Sequence, residues 1–204
     1  MARGPRPTAD FARVTLDLAT VAAGQVFGRL YAKRHPDPLG FGLGKTRYSD
    51  PRRRKEANRF GVIYLGASLK VCFLEGLLRD ERNGLIGDYP LDEAELDARW
   101  FAWIETLHPL QLVDFRGDSP VRMGIPSDAV RASEQSLARQ WSVAIHEHPQ
   151  RPDGIIFPSR LNGEINLAIY DRAIVKLGLK SKSSLRSTRG LASVLNELLV
   201  AIVP

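Results

Sequence analysis

The chain has 204 residues, of which 44% are apolar and 25% charged, and its formal net charge is +6. This length and composition suffice for one domain with a hydrophobic core and exclude a disordered chain. The single cysteine, Cys72, excludes an internal disulfide and a multi-cysteine metal site. No apolar run approaches the roughly 18 residues of a membrane span, and acidic residues soon interrupt the basic N-terminus, which argues against a signal peptide. We therefore expect a cytoplasmic protein whose positive charge suits either a polyanionic ligand or a generic basic surface.

The first quarter of the chain is predicted to be a tail, a helix, a strand and a loop. Residues 1–10 are basic and loose, and helical periodicity predicts a helix over Phe11–Ala23. Gln25–Tyr31 has the composition of a strand and carries Arg29. The Gly- and Pro-rich segment 33–51 is too long for a mere connector, which is typical of a functional loop. The charge run after it, Arg52–Lys55, fits a solvated surface or a contact with phosphates or an acidic partner.

The most informative stretch runs from Phe60 to Arg79 and predicts a strand, a turn and a helix. Phe60–Leu65 is β-branched and aromatic, and Gly66 ends the strand. Ser68 is suited to cap the helix that follows. Glu75 falls on or beside the apolar face of that helix, where a carboxylate is costly unless a partner binds it.

The remaining elements mix helices and strands without strict alternation. The pattern predicts a short acidic helix over 91–98, strands over 99–107 and 110–115, and a loop over 117–126. A helix capped by Ser127 follows over 127–146, and then a hairpin-like pair of strands over 155–157 and 165–170. A basic loop over 176–189 and an apolar helix over 191–203 complete the prediction. There is no internal repeat. We therefore expect a single α+β domain with mixed central sheets and flanking helices.

Common catalytic motifs are absent from the sequence. The chain has no G-x-G-x-x-G after a strand, no P-loop, no H-E-x-x-H and no G-x-S-x-G elbow. Of the four histidines, His146 and His148 are only two residues apart, which is poor ligand spacing on a helix. We therefore predict no metal site.

What remains is a series of polar residues set against apolar strands, and their order resembles that of the RES-domain toxins of bacterial toxin–antitoxin modules. That family shows an Arg followed by an aromatic residue, an aromatic strand, a helix with a Glu and, much later, a P-S-R segment and an N-L-A strand. The matching segments here are Gly28–Tyr31, Thr46–Tyr48, Val62–Ser68, Glu75, Gly154–Arg160 and Asn166–Tyr170. The resemblance covers about residues 27–170, leaving an N-terminal segment 1–25 and a helix over 190–203 as decorations.

The resemblance implies NAD⁺ consumption on a fold similar to the ADP-ribosyltransferase toxins, by an ADP-ribosyltransferase or an NAD⁺ glycohydrolase or phosphorylase. Glu75 would orient the ribose and offset the cation that develops as the glycosidic bond breaks. Tyr64 would hold the nicotinamide ring. Ser159 would hydrogen-bond the ribose, the carboxamide or Glu75 itself.

The NAD⁺-binding residues implied by the resemblance are more numerous. Arg29 and Arg47 would bind the pyrophosphate, because an arginine offers it a two-pronged donor. Arg47 is also expected to be catalytic, together with Glu75, Tyr64 and Ser159. Tyr31 and Ser68 would also contact NAD⁺. No metal is implied.

The acceptor of ADP-ribose stays open between a target protein, water and phosphate. The family implies an antitoxin that covers the active-site cleft, no membrane contact, and contact with nucleic acid only through that antitoxin. The alternative is a non-enzymatic module that binds nucleic acid, with Arg52–Lys55 and Lys180–Arg189 contacting the phosphates.

Overall fold

The structure is a computed structural model that describes residues 4–52, 58–79 and 81–204. Within these ranges the strands are β1 Leu18–Val21, β2 Val26–Ala32, β3 Val62–Gly66, β4 Tyr89–Asp92, β5 Arg99–Thr106, β6 Leu110–Asp114, β7 Gly154–Pro158, β8 Ile165–Tyr170, β9 Leu177–Ser184 and β10 Val200–Val203. The α-helices are α1 Leu69–Phe73, α2 Glu93–Asp97, α3 Ser119–Arg122, α4 Ser127–Arg131, α5 Ser136–His146 and α6 Leu191–Glu197. Three 3-10 helices span Ala9–Arg13, Asp171–Lys176 and Leu185–Ser187, and a π-helical turn spans Leu74–Leu78.

Eight of the described strands form one mixed sheet in the order β1-β6-β7-β8-β3-β2-β5-β9. The β6–β7 pair is parallel and the other neighbours are antiparallel. β4 and β10 pair in parallel as a separate ribbon. The predicted α+β class with a mixed sheet and flanking helices is confirmed.

Alternating side chains place apolar groups on both faces of the sheet. In β3, Val62 and Tyr64 pack against the cluster covered by α4 and α5, whereas Ile63 and Leu65 belong to a cluster on the opposite face. This period of two is the geometry of a strand that is buried on both sides. A third cluster packs α1 and α6 against Phe101 of β5.

The pairing between β2 and β3 is short. The pairing of β2 with β3 consists of the single residue pair Gly28–Gly66. Both positions need glycine: a Cβ on Gly28 would lie 2.6 Å from the Phe101 ring, and one on Gly66 would lie 2.7 Å from Cys72 Sγ. The two strands part beyond this pair, which leaves room for a cleft between the two halves of the sheet.

The strands predicted around residues 25–31, 60–65, 99–107, 110–115, 155–157 and 165–170 are confirmed with small shifts of their ends. Segment 33–51 has no helix or strand, as predicted. Of the basic run after it, Arg53–Lys55 lie outside the described residues.

Two predictions near the N-terminus and in the basic segment 176–189 are wrong, and both missed a strand at an edge of the sheet. Phe11–Ala23 is not a helix: a short 3-10 helix precedes β1, whose Leu18–Val21 pair with β6. The basic segment is not a loop, since most of it is β9, paired with β5. Edge strands need little apolar alternation, because one side of them faces solvent.

Three predicted helices are shorter than expected. The helix over 127–146 is broken at Ala132, which is extended, and its first half follows Pro126 without the predicted side-chain cap from Ser127. The final helix ends at Glu197, and the chain continues into β10. The acidic helix over 91–98 is reduced to α2, because β4 occupies its first residues.

Candidate functional site

Glu75 lies in an irregular turn at the end of α1. Ser68 caps this helix as predicted, since its hydroxyl accepts a hydrogen bond from Val71 N at 3.1 Å. After Phe73 the helix widens into the π-helical turn, which is closed by the bond from Arg79 N to Leu74 O at 2.7 Å. Single π-turns occur frequently at functional sites. Here the turn carries Glu75, the carboxylate that the sequence placed on or beside an apolar helix face and that therefore required a partner.

That partner is Ser159. Its hydroxyl donates a hydrogen bond to Glu75 Oε1 at 2.7 Å and accepts one from Leu161 N at 3.1 Å. Ser159 directly follows β7, and its own N–H binds Glu164 O at 2.7 Å across the turn that leads to β8. The side chain is 4% exposed, so the buried turn fixes the hydroxyl that holds the carboxylate.

Tyr64 fixes the loop that carries Arg47. The Tyr64 hydroxyl accepts a hydrogen bond from Tyr48 N at 2.8 Å and lies 2.9 Å from Thr46 Oγ1. Burial raises the pKa of Tyr64, so the phenol stays protonated at neutral pH. Arg47 Nη1 donates to Ala132 O, at the end of α4, at 2.8 Å. The aromatic residue and the arginine are therefore held as one unit.

These side chains meet in one cavity of about 250 Å³. Of the four predicted catalytic residues, Glu75, Arg47 and Tyr64 line it, and Ser159 reaches it through its bond to Glu75. The walls also include apolar residues and several polar or charged ones: Leu30, Thr46, Leu65, Gly66, Cys72, Gly76, Arg79, Gln135, Phe157, Arg160, Leu161 and Asn166. Burial raises the pKa of Cys72 to about 12, so the wall it forms is uncharged.

Besides Ser159, three predicted NAD⁺-binding residues do not line this cavity. Arg29 donates hydrogen bonds to Pro38 O and, at 2.6 Å, to Gly40 O, so it holds the 33–51 loop. Burial lowers the pKa of its guanidinium to about 10. Tyr31 packs with the cluster on the opposite face of the sheet. Ser68, besides capping α1, donates to Glu164 Oε2. The predicted contact of Arg29 with the pyrophosphate has no support in this placement.

Sequence reasoning missed five polar residues of the cavity, namely Thr46, Arg79, Gln135, Arg160 and Asn166. Arg79 has a positive φ of 35°, an uncommon conformation for an arginine, and its Nε donates to Glu75 O at 2.7 Å. The signals were present: Arg79 is four residues beyond Glu75, and Arg160 and Asn166 belong to the P-S-R and N-L-A segments. These signals were not used, because nothing in the local sequence distinguished these residues from their neighbours.

The basic stretches named for nucleic-acid binding are largely paired with acids where they are described. Arg52 binds Asp50 Oδ2 at 2.7 Å and also contacts Glu147. In the second stretch, Arg186 binds Glu93 at 2.5 Å and Asp97 at 2.7 Å. The described parts of these stretches therefore form no continuous row of unpaired cations.

Two further properties follow from the part of the chain that the structure describes. None of its helices is both long and apolar enough to cross a bilayer. Within the same ranges, no three or more His, Cys, Asp or Glu side chains are grouped so that they could hold a metal ion.

Comparison with known families identifies the family to which this chain belongs. The sequence matches the RES domain over residues 25–186, which is most of the chain. The protein belongs to the RES domain family.

Individual relatives refine this assignment. The chain is 43% identical to the "Probable toxin y4kH" of Sinorhizobium fredii over 127 residues, which are 62% of this chain and all of that protein. In fold it is similar to a chain in the crystal structure of the M. tuberculosis MbcT–MbcA toxin–antitoxin complex, with a TM-score of 0.59 and 19% identity. That similarity covers 88% of this chain and 91% of the other.

Proposed function

We propose that this protein is the toxin of a toxin–antitoxin module and that it cleaves the nicotinamide–ribose bond of NAD⁺. The observation that carries the proposal is the Glu75–Ser159 pair, 2.7 Å apart, in a cavity lined by Tyr64 and Arg47. Membership of the RES domain family and 43% identity to a probable toxin support the toxin role.

Cleavage of the nicotinamide–ribose bond requires mainly a carboxylate placed near the ribose. When the bond between ribose C1′ and the ring nitrogen breaks, its electron pair stays with nicotinamide, which leaves as a neutral molecule. The positive charge, which the nicotinamide ring carries before cleavage, thereby passes to the ribose in an oxocarbenium-like state. The Glu75 carboxylate offsets that charge, and Ser159 keeps it aimed by binding Oε1. An oxygen of the acceptor then bonds to C1′, and where that oxygen carries a proton, as in water, the proton passes to solvent.

The rest of the dinucleotide requires an aromatic surface and cations, and the cavity walls supply both. The ring of Tyr64 lies against a positively charged nicotinamide, which is a favourable cation–π contact. Arg47, Arg79 and Arg160 line the same cavity and offer donors to the pyrophosphate. In this proposal Arg79 and Arg160 take the role that the sequence assigned to Arg29.

The products depend on the acceptor, which is a target protein, water or phosphate. Water yields free ADP-ribose, phosphate yields its phosphorylated form, and a protein becomes ADP-ribosylated. We propose that the reaction takes place in the cytoplasm, on the cell's own NAD⁺, and that an antitoxin covering the cleft prevents it. The similarity in fold to a chain from a toxin–antitoxin complex is consistent with such a partner.

The test is release of nicotinamide from NAD⁺ by the purified protein, measured by chromatography in buffer, in phosphate and in cell lysate. We expect the wild type to release nicotinamide and Glu75→Gln to lose about 100-fold or more of the rate, as for removal of one electrostatic catalytic group. Glu95→Gln, a surface carboxylate that binds Arg99 at 3.2 Å, is the matched control and keeps full activity.

The outcomes separate the acceptors. Turnover in plain buffer indicates hydrolysis, an increase specific to phosphate indicates phosphorolysis, and turnover only in lysate with a labelled protein band indicates a protein transferase. Absence of nicotinamide release under all three conditions contradicts the proposal. Equal activity of Glu75→Gln and wild type contradicts the role of the carboxylate.

A further inference from the structure

One buried polar group in the cavity lacks a hydrogen-bond partner. Across the described residues, seven buried side-chain nitrogen or oxygen atoms have none: Tyr31 Oη, Tyr48 Oη, Arg59 Nε, Arg99 Nε, His146 Nδ1, Asn166 Nδ2 and Arg172 Nε. Of these residues only Asn166 lines the cavity that contains Glu75. An unsatisfied buried amide costs stability and requires an explanation, such as a ligand that completes it.

The position of Asn166 is rigid. It lies in β8 between Gly66 of β3 and Phe157 of β7, which are its partners in the two strand pairings. Only 6% of the residue is exposed. A side chain held between two strands loses little conformational entropy when it binds a ligand, and this favours binding.

Gly66 keeps space beside this amide. A Cβ at Gly66 would lie 3.3 Å from Asn166 Oδ1 and 2.7 Å from Cys72 Sγ. Any larger residue at this position would therefore crowd both groups. The absence of a side chain leaves the amide next to a surface formed by backbone and by the neutral thiol of Cys72.

The chemistry around the amide selects a neutral partner. Leu65, Gly66 and Cys72 bring no charge to this wall, and the proposed function assigns the arginines of the cavity to the pyrophosphate. A carboxamide is neutral and offers one acceptor and a donor pair, which complement the donor pair and acceptor of asparagine.

The register also sets the amide beside the aromatic residue. In the β3–β8 pair, Tyr64 is opposite Ala168 and Gly66 is opposite Asn166. Tyr64 and Asn166 are therefore on the same face, two positions apart along neighbouring strands, which corresponds to about 7 Å along the strand direction. An aromatic ring lying on Tyr64 would bring a substituent at its edge toward Asn166.

We infer that Asn166 recognises the carboxamide of the nicotinamide ring and thereby selects NAD⁺ over its deamidated analogue, an inference that rests on the proposed function. Asn166 is thus a specificity-determining residue, distinct from Glu75, which acts on the ribose. The deamidated analogue carries a carboxylate, which has no donor for Asn166 Oδ1 and brings a negative charge beside that oxygen.

The first arm of the test measures binding without turnover, using Glu75→Gln as the parent protein. Saturation-transfer NMR compares nicotinamide, benzamide and nicotinic acid as probes. We expect nicotinamide and benzamide to bind and nicotinic acid not to bind. Adding Asn166→Ala abolishes this preference. Asn196→Ala, a change of the same type on the exposed face of α6, leaves the preference intact.

The second arm measures kcat/KM for NAD⁺ and for nicotinic acid adenine dinucleotide. We expect the wild type to prefer NAD⁺ by about 100-fold and Asn166→Ala to reduce this ratio to about tenfold or less, through loss of activity on NAD⁺. An unchanged ratio in Asn166→Ala, or equal binding of nicotinamide and nicotinic acid by the parent, overturns the inference. If the wild type releases no nicotinamide, the proposed function fails, and the binding arm still decides the role of Asn166.

Discussion

Replacing Ser159 by alanine tests whether this residue acts on the substrate or through Glu75. The structure gives its hydroxyl two bonds, one to Glu75 Oε1 at 2.7 Å and one from Leu161 N at 3.1 Å. The second bond stabilises the turn after β7, and the first aims the carboxylate. Ser159 is therefore a positioning residue, and its removal should affect the rate mainly through the orientation of Glu75.

The size of the effect follows from the type of hydrogen bond. A hydrogen bond to a charged group is worth roughly 1.5–3 kcal/mol. If the transition state loses that full amount, kcat falls by about 10- to 150-fold, since each 1.36 kcal/mol changes a rate tenfold. We expect KM to change by less than about threefold, because in this mechanism the carboxylate acts mainly on the charge that develops in the transition state.

The assay is initial-rate release of nicotinamide by wild type, Ser159→Ala, Glu75→Gln and the double variant. Because Ser159 acts through Glu75, we expect the double variant to be no slower than Glu75→Gln alone. Ser193→Ala removes a similar bond, from Ser193 Oγ to Glu197 at 3.1 Å on an exposed helix, and should leave kcat unchanged. A Ser159→Ala enzyme within twofold of wild type refutes the argument, and so does a double variant with multiplied losses.

Three further predictions concern the cavity and the sheet: two substitutions and one labelling experiment. Arg47→Lys should raise KM for NAD⁺ about tenfold in initial-rate assays, because lysine lacks the two-pronged donor. Cys72 should resist a thiol reagent at pH 8 until the protein unfolds. Burial raises its pKa from 9.0 to about 12, so the stability it contributes is present below pH 9 and is lost toward pH 12. In urea denaturation, Gly154→Ala should lower the free energy of unfolding by about 3 kcal/mol, because its Cβ would lie 2.1 Å from Ala168 O.

Each of these expectations has a clear contrary result. An unchanged KM in Arg47→Lys would remove this residue from NAD⁺ binding. Labelling of Cys72 in the native protein as fast as in urea would contradict its burial. Gly44→Ala, where a Cβ meets no atom within 4 Å, is the matched control for Gly154→Ala, and equal stability of the two variants would contradict the close approach of β7 and β8.

The sequence was most informative where a polar residue interrupted an apolar pattern. Glu75 was recognised because a carboxylate on a buried helix face needs a partner, and Ser159 supplies it from a segment 84 positions away. The strands around both residues were predictable because they are buried and rich in branched and aromatic residues. The local sequence pattern identified Glu75 as a buried carboxylate that needs a partner. The resemblance to the RES-domain toxins suggested that Ser159 belongs to the same site.

Edge strands and short helices could not be predicted in the same way. β9, with the sequence LGLKSKSS, is polar and partly exposed, so its composition is that of a loop although it pairs with β5 along its length. β1 forms because β6 is available beside it. Such pairings depend on neighbours that are distant in the chain, and a local pattern contains no information about them.

The absence of Arg29 from the cavity lining shows a limit of a different kind. Neighbouring residues of a strand point to opposite faces, so a shift of one residue along the strand changes which side chain reaches a site on one face. In β2 that residue is Leu30, which lines the cavity, whereas Tyr31 packs into the cluster on the other face and Arg29 holds the loop carbonyls. The sequence identified β2 as a strand but not which of its faces borders the cleft. That face is set by the approach of β3 at Gly66, and the cations that border the cleft therefore come from Arg47, Arg79 and Arg160.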